Sequence, residues 1–439
     1  MRILALLAIG VLCSGADREE EESDPPGAIR RVSLPDRLNS YLPRWWKLGV
    51  EIRSRLDTVT GYGGVADTRD TYYLHRLRLN STITVRPWLK LFSQMQDART
   101  VDYDRKPVPA VMRNPIDLRQ AYADIGNREQ HWALRLGRQP IVFGDMRLVS
   151  TSNWSNVGAG YDGVRLTHTS PGAQWDLFSS LVVMPGDGFD RPRADRKLSG
   201  IYGSIATRRT NGVLDVYTFW KSNLRAVDEG FHAGHLDVYT SGARAVGKMR
   251  FRCDYNVEMA MQRGHVSGDG LAAWMGHWEI GRRMGDAQRG PRMWLEHNYA
   301  TGDRNLGDGR RQAFEQLYPT STNIIGRAGE FASRNLQEPL VGMEWQAARR
   351  WKIRSTVRAF WLADARDALY LLSGTVYARQ PGAASRRVGE EAGGWVIYQV
   401  SRQSQIWVGY ARLFAGPYLR EAGKGAGVGY PFVVWSHTM

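Results

Sequence analysis

The stretch Met249-Arg250-Phe251-Arg252-Cys253-Asp254-Tyr255-Asn256-Val257-Glu258-Met259-Ala260-Met261-Gln262 alternates with a period of two. Met249, Phe251, Cys253, Tyr255, Val257, Met259 and Met261 take one side, and Arg250, Arg252, Asp254, Asn256, Glu258 and Gln262 the other. Helical spacing would scatter both sets round an axis, so the pattern predicts a β-strand. Tyr73 to Val85 repeats it, with Leu77, Leu79, Ile83 and Val85 opposite Arg76, Arg78, Asn80, Thr82 and Thr84. In Trp351 to Trp361, Trp351, Ile353, Val357 and Trp361 oppose Lys352, Arg354, Thr356 and Arg358.

The same texture runs from about Trp45 to the end and shows no second domain boundary. Segments of about ten residues are separated by Gly, Pro, Asn and Asp. Counting them gives eighteen strands, near 46–57, 71–86, 88–98, 117–126, 131–139, 160–169, 174–183, 198–208, 213–221, 235–246, 248–263, 269–281, 291–300, 339–348, 351–361, 388–401, 404–414 and 429–438. Short turns such as Pro171-Gly172, Thr210-Asn211-Gly212 and Arg402-Gln403 alternate with longer connections, of which 301–338 and 362–387 are the longest.

A soluble sandwich buries the apolar side of such strands, whereas an outer-membrane barrel turns it to lipid and keeps the polar side for a water-filled lumen. The amino terminus favours the barrel. Met1-Arg2, the apolar run Ile3 to Leu12 and the small residues Ser14-Gly15-Ala16 read as a secretory signal peptide over 1–16. An acidic, Pro-rich leader, 17–44, follows, with Glu19 to Glu22 and Pro25-Pro26-Gly27, and the barrel is expected over 45–439. That ten-residue run is the longest apolar one, against the roughly 18 to 20 residues a transmembrane helix needs. Aromatic residues gather at strand ends (Trp45-Trp46, Tyr72-Tyr73, Trp88, Trp351, Trp361), as an interfacial girdle requires. Of the two cysteines Cys13 lies in the signal, so Cys253 is left without an internal partner.

The net charge is +15, and of 59 basic residues only 8 are lysine. Guanidinium forks pair with carboxylate or phosphate, so the excess suggests an anionic partner; a bias toward Arg codons produces the same count. The polar sides of the expected strands carry Arg76, Arg78, Arg135, Arg165, Arg250, Arg252, Arg354 and Arg358, with Asp124, Asp254, Glu258 and Glu344 among them. Such groups either line an anion-attracting pore or brace the interior as Arg–carboxylate pairs. The expected pore-lining set is the eight arginines with Asp124 and Glu258. No His-Glu-x-x-His, Gly-x-Ser-x-Gly or phosphate-loop pattern is present, so neither catalytic residues nor a metal or cofactor are expected, and nucleic acid is an improbable partner for an exported chain. The Asp303 to Arg311 block reads as an ordered loop without a calcium spacing.

Three blocks resemble the alginate-export family of outer-membrane barrels. The first runs from Asp117-Leu118-Arg119-Gln120-Ala121-Tyr122-Ala123-Asp124-Ile125 through Leu136-Gly137-Arg138-Gln139 and Asn153-Trp154-Ser155-Asn156-Val157 to Asp162-Gly163-Val164-Arg165-Leu166. The second joins Tyr299-Ala300-Thr301-Gly302-Asp303-Arg304-Asn305 to Gln316-Leu317-Tyr318-Pro319-Thr320, and the third Gly409-Tyr410 to Tyr430-Pro431-Phe432. The resemblance implies an eighteen-stranded antiparallel barrel in a Gram-negative outer membrane, with an Arg-rich pore for passive export of an alginate-like polyuronate. The alternative is an anion-selective or general porin for small organic anions. Expected partners are the anionic polysaccharide or organic anion, outer-membrane lipid and periplasmic export components.

Overall fold

The computed structural model describes residues 34–439 apart from 128–130, 187, 208–209, 228–231, 287–288, 321–325, 330 and 381. The expected signal peptide, 1–16, and most of the leader lie outside the described residues. A short helix, α1 (Leu34–Tyr41), precedes the first strand, and Asn39 seats it there by bonding both the N–H and the C=O of Leu48 at 2.8 Å.

The strands follow in chain order: β1 (Trp46–Thr60), β2 (Arg69–Arg86), β3 (Leu89–Val101), β4 (Asn114–Asn127), β5 (Trp132–Gln139), β6 (Gly160–Ser170), β7 (Ala173–Val183), β8 (Pro192–Thr207), β9 (Gly212–Val227), β10 (Ala233–Lys248), β11 (Cys253–Val266), β12 (Asp269–Arg283) and β13 (Arg292–Ala300). After these come β14 (Arg310–Arg311), β15 (Leu336–Ala348), β16 (Trp351–Leu362), β17 (Leu369–Tyr370), β18 (Val376–Ala378), β19 (Arg387–Ser401), β20 (Ser404–Ala415) and β21 (Val428–Thr438). Each long strand pairs antiparallel with the next, and β21 returns to pair with β1. Leaving aside β14, β17 and β18, which belong to connections, eighteen strands close a single barrel. Closure leaves no unpaired edge, which hydrocarbon demands of any sheet.

The alternation is inside-out relative to a soluble protein. On the outward side Met259, Met261, Leu177 and Val357 are 45 to 60 % exposed, while the inward Arg76 is 1 % exposed and Arg78 4 %. The expected sides of β2, β11 and β16 are therefore correct. The outward side carries two aromatic belts: Trp88, Trp132, Trp351 and Trp435 near one end, and Tyr73, Tyr239 and Trp274 near the other, all well exposed. Such belts mark the two membrane–water boundaries.

Connections at the first end are short, as at 87–88, 171–172, 349–350 and 402–403. At the other end 140–159, 301–335 and 363–386 are long. Short turns belong to the periplasmic side of such barrels.

One expectation fails at the very start of the deciding stretch. Met249 to Arg252 form the β10–β11 turn, with Phe251 and Arg252 at φ 60°, and the strand begins at Cys253. Arg250 and Arg252 are therefore exposed at the short-turn end and do not line the lumen. The alternation of letters carries on into the turn because turn residues are polar anyway.

The outward side implies a measurable cost. Replacing Val357, at mid-height on β16, by Arg puts a charge in hydrocarbon and should destabilise the folded barrel by about 2–4 kcal/mol in denaturant titrations in lipid. An unchanged midpoint would mean that this side is wet.

Candidate functional site

The interior is divided. Beneath β6 to β12 it is dry: Phe178, Tyr202, Tyr217, Phe219 and Leu236 of the wall pack against Ile141, Phe143 and Val149 of the 140–159 loop and Phe314 and Leu317 of the 301–335 loop. Phe143 stacks on Tyr202 at 4.4 Å and lies 5.3 Å from the Arg165 guanidinium. Both long loops thus fold inward and are held by apolar burial.

Across the lumen, on β1, β2 and β4, the wall is cationic. Glu51, Arg53, Arg55 and Asp57 alternate inward along β1, and Arg76 and Arg78 do so on β2. These guanidiniums grip the backbone of the 140–159 loop. Arg53 donates to the carbonyls of Asn153 at 2.8 Å and Ser155 at 2.9 Å, and Arg55 to Trp154 O at 2.7 Å. Arg76 reaches the same Asn153 carbonyl at 3.1 Å, Arg78 the Asn153 side chain at 3.0 Å, and Arg119 the Ala159 carbonyl at 2.7 Å. Glu51 pairs with both Arg76 and Arg78, and Asp57 with Arg55. Five guanidiniums face four carboxylates here, Asp117 and Asp190 beside Arg119 being the third and fourth, which leaves this cluster positive.

A second junction lies under β16 to β21. Trp154 sits 4.7 Å from the Arg55 guanidinium and 4.3 Å from that of Arg327, which the other long loop supplies. Arg327 is also 4.3 Å from the Trp395 ring and 5.1 Å from Phe432. The Glu391 carboxylate fixes that loop by accepting the N–H groups of Arg327, Ala328 and Gly329 at 2.8 to 3.2 Å. Arg354 stands between Trp294 and Trp395, 5.2 and 5.6 Å from their rings, and Trp294 fits because its cross-strand neighbour is Gly342, where a Cβ would meet the indole at 2.1 Å. Arg358 pairs with Glu338.

The acidic side belongs to β11 to β15. Glu258, Glu296 and Glu338 surround Arg147 of the 140–159 loop, which donates to Asn298 at 3.0 Å and Asp145 at 3.2 Å. Towards the short-turn end no loop fills the lumen among the described residues, and inward pairs become partly exposed. Arg135 with Asp124, Arg292 with Asp254 and Glu279, and Lys352 with Glu344 form this open half.

The structure therefore brings inward eight of the ten residues expected at the pore: Arg76, Arg78, Arg135, Arg165, Arg354, Arg358, Asp124 and Glu258. Arg165 and Glu258 are tied into the packed half, where Arg165 bonds Asp176 at 2.8 Å and Glu258 accepts from Tyr217 at 2.6 Å. Arg53, Arg55 and Arg119 were not singled out from the sequence, although Glu51-Ile52-Arg53-Ser54-Arg55-Leu56-Asp57 shows the same period of two. Trp154 and Arg327 lie in connections, where no periodicity marks an inward residue. The Asp303 to Arg311 block is ordered, as expected: β14 pairs with the top of β12, and Asp303 accepts from the N–H groups of Asn305 and Gln312.

The alginate-export family model matches residues 44–429. The chain belongs to that family. No curated protein sequence matches it. Among solved structures this chain is similar to the BenF-like porin of Pseudomonas fluorescens, with 8 % identity, 90 % of this chain and 98 % of that one covered, and a TM-score of 0.62. It is also similar to Pseudomonas aeruginosa OpdK with vanillate (10 % identity, 89 % and 98 % covered, TM-score 0.59) and to OccK2 of the same organism in complex with glucuronate (10 %, 90 % and 96 %, 0.59). Together the closed barrel, the belts and the family make it a channel of the Gram-negative outer membrane.

Two outcomes follow for the inward loops of this barrel. Trp154→Ala removes the ring between Arg55 and Arg327, so single-channel conductance in planar bilayers should rise and become noisier; an unchanged trace would mean the loop does not narrow the path. Glu315, in the other loop, is ion-paired with Lys221 at 2.8 Å and Arg311 at 3.0 Å. Burial raises its pKa, but Lys221, Arg311 and Arg334 outweigh burial and hold it at about 2, below the ordinary 4.5. A depressed carboxylate stabilises fully above its unfolded pKa and loses that contribution as pH falls through the folded one. The Tm gap between wild type and Glu315→Gln should therefore be constant above pH 4.5 and close between pH 4.5 and about 2; a gap independent of pH would contradict the ion pairing.

Proposed function

We propose that this channel passes carboxylate-bearing sugars and related small organic anions, taken up along a cationic wall. The observation that carries the reading is the charge excess in the cluster that grips the 140–159 loop, where Arg53, Arg55, Arg76, Arg78 and Arg119 outnumber the carboxylates that act on them, Glu51, Asp57, Asp117 and Asp190. Walls of low dielectric focus the field of such groups into the narrow part of the lumen and raise the local concentration of anions. Several guanidiniums follow one another along the barrel, already bonded to loop carbonyls, and weak successive contacts favour transit over trapping. Below them the paired charges Arg135–Asp124 and Arg292–Asp254 form a wide, nearly neutral vestibule.

The family description favours a polyuronate as cargo, and the neighbours with vanillate and glucuronate favour single small acids. The inward packing of the 140–159 and 301–335 loops supports the single acid: one acid unit suits the path better than a continuous chain, and a polymer needs the loops displaced.

Bilayer recording tests the proposal. A salt gradient should give a reversal potential of anion-selective sign, and glucuronate should reduce chloride current reversibly. Replacing Arg76 and Arg78 together by Gln should lower the anion-to-cation permeability ratio several-fold. Cation preference in the wild type, with no effect of glucuronate, would overturn it. Block that grows stronger with oligouronate length would favour the polymer.

A further inference from the structure

The outward side of β11 changes character abruptly. Val257, Met259 and Met261 are followed by Arg263 and His265, all pointing out of the barrel. Across the β11–β12 ladder Met261 pairs with Trp274 and Arg263 with Ala272. Trp274 thus stands where the apolar band ends, and it stacks on Tyr299 of β13 with ring centroids 4.7 Å apart. Against these rings lies a cavity of about 220 Å³, walled on its upper side by Thr301, Arg304, Gln312 and Asp364. The Thr301 hydroxyl is occupied by Trp274 O at 3.2 Å, and the Asp364 carboxylate by Arg366 at 3.0 Å. Among the described residues neither Arg263 nor Arg304 has a carboxylate within ion-pair distance, although Arg304 stands close enough to Asp364 for its charge to act on that carboxylate; Arg263 donates to Gln262 O at 2.8 Å. The cavity opens on the lipid side of the wall and takes no part in the lumen.

We infer that this cavity holds the phosphorylated sugar headgroup of a glycolipid of the outer leaflet. A sugar ring presents a C–H face that suits the exposed Trp274–Tyr299 pair, Gln312 offers donors and an acceptor to its hydroxyls, and a phosphate meets the Arg304 fork in the cavity and Arg263 at its edge, where Arg263 is the cross-strand neighbour of the lining Ala272. The acyl chains continue downward over Met261, Met259 and Val257. Height in the membrane selects the class of ligand: cations directly above an aromatic belt meet headgroups, not hydrocarbon and not bulk solvent.

Native mass spectrometry of the folded barrel in detergent tests this with three probes: bis-phosphorylated lipid A, the same lipid dephosphorylated, and phosphatidylethanolamine. One bis-phosphorylated molecule per chain should survive activation that strips the other two lipids. Arg304→Ala and Arg263→Ala should each reduce its retention at least fivefold, whereas Arg402→Ala at the short-turn end should leave it unchanged. Equal retention of the three lipids by the unaltered chain, which needs no variant to fold, would overturn the site, as would an equal loss in Arg402→Ala or no loss in Arg304→Ala. Excess inorganic phosphate should not displace the lipid; displacement would place a free anion there and overturn the glycolipid. Anion conductance should be the same in all variants, so this test and that of the transport reading fail separately.

Discussion

A guanidinium kept out of water must find acceptors for its N–H donors, because a buried charge without hydrogen bonds costs several kcal/mol or more. That requirement organises the lumen. Strand alternation drives Arg53, Arg55, Arg76, Arg78 and Arg119 inward on one arc of the wall, and the neighbouring side chains supply too few carboxylates. Backbone carbonyls of Asn153, Trp154, Ser155 and Ala159 supply part of what is missing. The 140–159 loop is therefore drawn into the barrel by the arginines as much as by the burial of Phe143 and Ile141. Its position then fixes the width of the path, and the same contacts spread positive charge along it.

The opposite arc solves a different problem. A wide barrel lined throughout by polar groups is an open pipe, and selectivity needs a narrow section. Here the narrowing comes from apolar packing: Phe143, Phe314 and Leu317 press on Phe178, Tyr202 and Phe219, so the side of the lumen beneath β6 to β12 is filled by a dry core of the kind soluble proteins have. Each inserted loop is thus held by apolar burial and by charge together. Glu391 anchors the 301–335 loop through three consecutive N–H groups, while Arg327 of the same segment lies among Trp154, Trp395 and Phe432. Because Trp154 and Arg327 come from different loops, displacing either loop loosens the other.

The strand pattern was legible because lipid imposes it residue by residue: every second side chain must be apolar across the band, and β2, β11 and β16 obey. Strand count, hairpin lengths and the inward direction of Arg76, Arg78, Arg354 and Arg358 come from that rule alone. Its limit shows at Arg250 and Arg252, where the alternating letters continue into a turn that lipid does not touch. The dry half of the lumen could not be read the same way. Tyr202, Tyr217 and Phe219 sit on inward positions where a water-filled pore predicts polar groups, and their partners Phe143 and Phe314 lie in loops far away in sequence. The inward direction of Trp154 and Arg327 was unreadable for the same reason, since a loop residue's direction is set by tertiary contacts and carries no period.

The division of the interior also determines how an anion would feel the path. In the open half each cation faces its own carboxylate, as in Arg135–Asp124, Arg292–Asp254 and Lys352–Glu344, so the field there is that of dipoles and decays quickly. In the narrow half cations gather on β1 to β4, while Glu258, Glu296 and Glu338 stand on the far arc, balanced around Arg147 and Arg358. A field pointing across the lumen rather than along it orients a molecule with one charged edge and lets it slide from one guanidinium to the next without a deep minimum. Bringing the acidic arc nearer would spoil this, and the apolar filling beneath β6 to β12 prevents it by keeping that side of the cross-section closed.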